Sequence, residues 1–194
     1  MKKTNRLFCF LLIMVLTLII AITAIASEQT LIEQSLEYLE EENYNMAIET
    51  LEKALLSIRQ KAQLQLKNVQ FTENEARGFG MYQLRQDANF EPGETFQIYA
   101  EPKNYTTKEI EEELYEIHFK EDIYLLDMEG NILWGQKGYL EYHVFSHRPY
   151  NEIFITNTIT QDSPFPEGEY QFQLVLKDVL SQKTVEQTID FVIE

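Results

Sequence analysis

Three histidines, His118, His143 and His147, and 32 acidic side chains are the residues of this 194-residue chain best equipped to hold a metal ion or move a proton. Their spacing along the chain argues against both roles. His143 and His147 stand in a stretch that alternates like a strand, about 13 Å apart at roughly 3.3 Å per residue, too far to share one ion. His118 alternates with Glu116 and Lys120 on the polar side of another predicted strand. With no His-Glu-x-x-His spacing in the chain, all three histidines are expected at the surface or in loops, and neither a metal nor a cofactor is expected.

The remaining catalytic signatures are also missing. A glycosidase needs two carboxylates in a shaped cleft, and no acidic pair is marked out here. Asp127-Met128-Glu129-Gly130 has the Asp and Gly of a type I turn, without the Asp/Asn pattern and downstream Glu of a calcium loop. There is no Gly-x-Ser-x-Gly elbow and no phosphate-binding glycine loop, and Cys9, the single cysteine, sits in an apolar N-terminal run, which leaves no thiol chemistry downstream. The expectation is a non-catalytic chain.

The elements that position these side chains begin after residue 26. Lys2, Lys3 and Arg6 precede an apolar run over residues 7–22, and Ala24-Ile25-Ala26 supplies the small residues of a signal-peptidase site. Residues 1–26 are read as a signal peptide or, since the run nears the roughly 20 residues that span a bilayer, as an N-terminal membrane anchor. Both readings place the remainder outside the cytoplasm, secreted or in the cell envelope. Without residues 1–26 the formal charge moves from −16 to −19, because three basic residues and no acidic one are removed. Such a balance predicts no nucleic-acid partner and membrane contact only through residues 1–26 where they stay uncleaved.

Residues 27–68 carry helical signals. Thr30 and Glu33 have capping-box spacing, and Asn43 can cap a second helix in which Ala47, Ile48, Leu51, Ala54, Leu55, Ile58 and Ala62 recur every three or four residues. Two antiparallel helices result. Over residues 28–60 the hairpin resembles a tetratricopeptide repeat: Ser35 falls at a small position, Tyr38 at an aromatic one, and Tyr44, Ala47, Leu51 and Ala54 match the second helix. Glu42 replaces the usual turn glycine and Arg59 the closing proline. A single unit of that kind cannot bury its apolar face alone. Tyr38, Tyr44, Leu51, Leu55 and Ile58 are therefore the candidate partner-binding residues, toward another envelope or secreted protein or a second copy of this chain.

Residues 69–194 alternate with period two. Strands are predicted over 78–85, 95–102, 114–126, 132–136, 139–147, 152–160, 170–179 and 184–193, with residues 103–113 as a charged loop. Phe96, Ile98 and Ala100 should face inward and Tyr99 and Glu101 outward; Tyr170, Phe172, Leu174 and Leu176 form a second inward row. Gly168-Glu169-Tyr170-Gln171-Phe172 resembles the Gly-x-Tyr-x-Cys of immunoglobulin-like domains, with Phe172 in place of the cysteine and Trp134 as candidate core tryptophan. The expected fold is α+β, an N-terminal helical hairpin followed by an antiparallel immunoglobulin-like β-sandwich. The expected function is protein–protein interaction in the cell envelope, with carbohydrate binding through Tyr99, Tyr142 or Phe145 as the alternative.

Overall fold

The computed structural model describes residues 27–150, 152–161 and 163–194, so the predicted leader or anchor over 1–26 lies outside the described residues. The fold class is α+β, two helices followed by a three-stranded and a six-stranded sheet. The chain divides into two units, the first ending at Ser57 and the second running from Ile58 to Glu194.

In the first unit, helix α1 (Glu28–Glu40) is capped by Ser27, whose extended backbone lets its hydroxyl accept the Thr30 N–H at 3.2 Å. The cap therefore lies three residues before the expected Thr30, which is already inside the first turn. At the other end the chain reverses through Glu42 at φ 57°. The Asn43 N–H reaches back to the Tyr38 carbonyl at 2.8 Å and the Glu42 N–H to that of Leu39 at 3.1 Å, a Schellman closure. Helix α2 (Tyr44–Lys61) then starts with the Asn43 side chain accepting the Met46 N–H at 3.4 Å. A hydrogen bond from Ser57 late in α2 to Glu28 at the start of α1 makes the two helices antiparallel. Small residues fill the positions between them: Ser35 of α1 and Ala47, Thr50 and Ala54 of α2 are buried.

The second unit holds both sheets. Strands β1 (Gln65–Phe71), β3 (Phe96–Lys103) and β7 (Ile155–Ile159) form the three-stranded antiparallel sheet in the order β1-β3-β7. The larger sheet contains β2 (Asn89–Phe90), β4 (Lys108–Glu111), β5 (Leu114–Leu126), β6 (Ile132–Ser146), β8 (Gly168–Asp178) and β9 (Thr184–Ile193). Its order is β2-β9-β8-β5-β4, with β6 also paired to β5. The pairing of β2 with β9 is parallel, which makes this sheet mixed where a purely antiparallel one was expected. Phe71, Phe90, Phe96, Phe172 and Phe191 come from β1, β2, β3, β8 and β9, and the rings in contact have centroids between 4.6 and 6.5 Å apart. Edge-to-face and stacked contacts of this kind add to the transfer free energy of burying the rings, so one aromatic cluster joins both sheets.

Several predicted boundaries move. Residues 78–85 form no strand; they make only the isolated bridges Thr72↔Leu84 and Gly78↔Met81. Residues 132–146 form one strand where two were expected, continuing past Gly138 at φ 63°. Part of the expected loop is strand β4. Trp134 stands exposed on β6 and is not in the core. The Asp127 turn forms as predicted: its carbonyl accepts the Gly130 N–H at 3.0 Å, and its carboxylate accepts both the backbone and side-chain N–H groups of Asn131 at 2.8 Å.

Candidate functional site

The fold brings together two histidines that are far apart in sequence. Strands β5 and β6 pair antiparallel with His118 opposite His143, Lys120 opposite Glu141 and Glu116 opposite Phe145. On the same strands Ile117 and Phe119 enter the core and Tyr142 and Val144 pack against it. Alternation therefore turns Glu116, His118, Lys120, Glu141, His143 and Phe145 to the other face.

The imidazole rings of His118 and His143 stack with centroids 4.1 Å apart and planes within 12° of parallel. One nitrogen of each ring meets a carboxylate of the neighbouring strand: His118 Nε2 lies 2.7 Å from Glu141 Oε1, and His143 Nε2 lies 2.9 Å from Glu116 Oε1. Lys120 Nζ approaches the same Glu141 oxygen at 3.4 Å. The hydrogen bond from His118, and then Lys120, holds the Glu141 carboxyl below its ordinary range. One ligand atom from each of Glu116, His118 and His143 lies within 4.8 Å of the other two. The side chains of His118 and Glu116 are mostly covered, 15% and 19% exposed, while that of His143 is 39% exposed. His147 stands apart, its Nδ1 3.1 Å from the Glu113 carbonyl oxygen.

Spacing along one strand was the wrong coordinate for these side chains. His143 and His147 are indeed not brought together, but the partner of His143 comes from β5. The polar face containing His118 was legible; the pairing opposite it was not.

The five hairpin candidates separate. Tyr38 is half-buried, and its hydroxyl accepts a hydrogen bond from Gln34 Nε2 at 3.3 Å. Tyr44, Leu51, Leu55 and Ile58 are exposed. On α2 the buried stripe is Ala47, Thr50 and Ala54, and the adjacent stripe of Ile48, Leu51, Leu55 and Ile58 faces out.

Of the aromatics considered for sugar stacking, Tyr99 is fully buried, so the exposure that sugar stacking requires is lost. Residues 72–82 fold back over that side of β3: Tyr82 lies against the Tyr99 ring at 4.2 Å, and the Gly80 N–H donates to the Tyr99 hydroxyl at 2.9 Å. Tyr99 in turn donates to Glu101 Oε1 at 3.0 Å, and Lys103 Nζ lies 3.1 Å from Glu101 Oε2. Burial raises the Tyr99 phenol to about 12. Burial also opposes ionisation of Glu101, but hydrogen bonds from Asn68, Lys103 and Tyr99 hold its carboxyl below the ordinary range. Tyr142 packs on the core, and Phe145 remains exposed.

No family model matches the sequence, and no curated protein matches it. A solved structure that does match is the Pseudomonas fluorescens alkylpurine DNA glycosylase AlkC bound to DNA containing an abasic site analog. The likeness has a TM-score of 0.38 at 9% sequence identity, over 80% of this chain and 40% of that one. The chain thus spans less than half the length of that protein. The expectations that the chain is non-catalytic and that it has no nucleic-acid partner are not carried forward. A fold can assemble reacting groups from distant strands without a local motif, and net charge averages over a surface whose patches differ. At this level of similarity neither the activity nor the DNA carries over to this chain.

Proposed function

We propose that the chain is exported and serves as a protein-interaction module of the cell envelope, a tetratricopeptide-like hairpin joined to an immunoglobulin-like β-domain, with the hairpin as its binding element. The observation that carries this is the exposed apolar stripe Ile48, Leu51, Leu55 and Ile58 on α2, with Tyr44 60% exposed at its start. Contiguous exposed apolar surface of this kind marks interaction sites, because leaving it in water forfeits roughly 25 cal/mol per Å² of apolar area. The buried small residues Ser35, Ala47 and Ala54 support the repeat-like reading of the hairpin. For the β-domain, the Tyr170 hydroxyl donates to the Pro166 carbonyl at 2.9 Å, the bond by which immunoglobulin-like domains fasten a corner.

A photo-crosslinking residue at Leu55 tests the proposal in intact cells. A discrete crosslinked species at Leu55, and none at the ion-paired Lys53 one turn-face away, is expected. Equal crosslinking at both positions, or none at either, overturns it.

A further inference from the structure

We propose that Glu116, His118 and His143 form a binding site for one divalent transition-metal ion of the zinc type, on the outward face of strands β5 and β6. Two imidazole nitrogens and one carboxylate oxygen make a donor set that suits such ions; harder cations such as calcium prefer all-oxygen shells. In a tetrahedral site with bonds near 2.0–2.2 Å, ligand atoms lie roughly 3.3–3.5 Å apart. The three donor atoms already lie within 4.8 Å of one another, so side-chain shifts of about an ångström close the site.

The scaffold favours this. His118 and His143 are directly opposed in one ladder, and their stacked rings hold the two planes within 12° of each other. Backbone hydrogen bonds of two long paired strands therefore hold the two histidine backbones side by side before an ion arrives, which lowers the ordering cost of binding. Glu141, beside His118 and held by Lys120, lies at the edge of the donor set. The three protein ligands leave a fourth position for water. Binding requires the coordinating nitrogen of each ring to be unprotonated, so any hydrogen bond that nitrogen makes to a carboxylate gives way to a metal bond and any proton on it goes to solvent. No electron transfer is involved.

The test is calorimetric titration of the purified full chain, stripped with chelator, using zinc chloride and, separately, calcium chloride. Saturation at one zinc per chain is expected, with calcium binding at least about tenfold weaker. His118→Gln and His143→Gln should each weaken zinc by about 10- to 100-fold, and Glu116→Gln by about tenfold, while His147→Gln leaves it unchanged. In the unmutated chain the ring ¹⁵N resonances of His118 and His143 should shift on zinc addition and those of His147 should not, a readout independent of how any variant folds. Zinc uptake that survives in the His118→Gln/His143→Gln double variant would show capture by the acidic surface and overturn the proposal. So would the absence of saturable binding below about 1 mM.

Discussion

Glu121 of β5 stands beside Asn157 of β7 between the two sheets, and among the described residues neither the Glu121 oxygens nor the Asn157 amide have a hydrogen-bond partner of good geometry. Glu121 occupies the inward row that otherwise contains Ile117, Phe119, Ile123 and Leu125. A carboxyl there is costly when charged. Burial raises it from 4.5 to about 7, with Asn157 pulling slightly down and the Asp122 charge slightly up.

Stability should therefore depend on this one acid. The folded chain holds the Glu121 proton where the unfolded chain releases it, so its contribution is complete below about pH 4.5 and falls as the pH rises to about 7, by about 3 kcal/mol. Glu121→Gln removes that dependence. Urea unfolding at pH 4.5 and pH 8 should show the variant equal to the parent at the lower pH and about 3 kcal/mol more stable at the higher. Parallel profiles for the two proteins would contradict the assignment.

Asp178 anchors the turn between β8 and β9. Its carboxylate accepts the N–H groups of Thr106 at 2.8 Å, Leu180 at 3.0 Å and Ser181 at 3.3 Å, as well as the Ser181 hydroxyl at 2.7 Å. Asp178→Ala strands several partly buried donors at once and should cost about 2–4 kcal/mol in urea unfolding. A loss under 1 kcal/mol would mean that water replaces the carboxylate.

Glu42 pays a conformational penalty at φ 57° that glycine would not. Glu42→Gly is expected to stabilise the helical hairpin by about 1 kcal/mol, seen as a higher midpoint in thermal unfolding followed by helical circular dichroism. An unchanged or lower midpoint counts against the Schellman closure.

Gly135 lies directly opposite Tyr124, and a Cβ on it would come within 2.9 Å of the ring's Cε1 and nearer still to its Cδ1. Gly135→Ala should displace Tyr124 and break its hydrogen bond to Asp122, for a loss of about 1–2 kcal/mol, with the Tyr124 ring proton resonances reporting the movement. Unmoved resonances would show that the strands shift instead.

Much of the β-region was legible. Strand β5 has the limits its alternation predicts, and Phe96, Ile98, Ala100, Phe172, Leu174 and Leu176 face the core as read. What alternation does not encode is what covers the second face. Tyr99 and Glu101 read as outward, and they are, relative to their own strand; residues 72–82 then bury them. Strand β4 was missed because Lys108-Glu109-Ile110-Glu111 is exposed throughout and has no apolar period to read.

The histidine pair was hidden by register. The pairing next to the turn, Leu126 opposite Ile132, would carry through to set His118 opposite Leu140. Irregularities between Leu125 and Leu126 and between Glu121 and Ile123 slide the ladder until His143 stands there instead. A bulge inserts a residue without leaving a reliable hydropathy mark, so the juxtaposition needed three-dimensional information.

The five-phenylalanine cluster takes Phe71, Phe90 and Phe96 from one side of residues 97–171 and Phe172 and Phe191 from the other. A protease nicking the exposed stretch around His147 and Arg148 would cut the polypeptide without parting its halves, which would still migrate as one particle on a native gel. Such a cut would then be survived by interlock, with no covalent staple needed to hold the pieces.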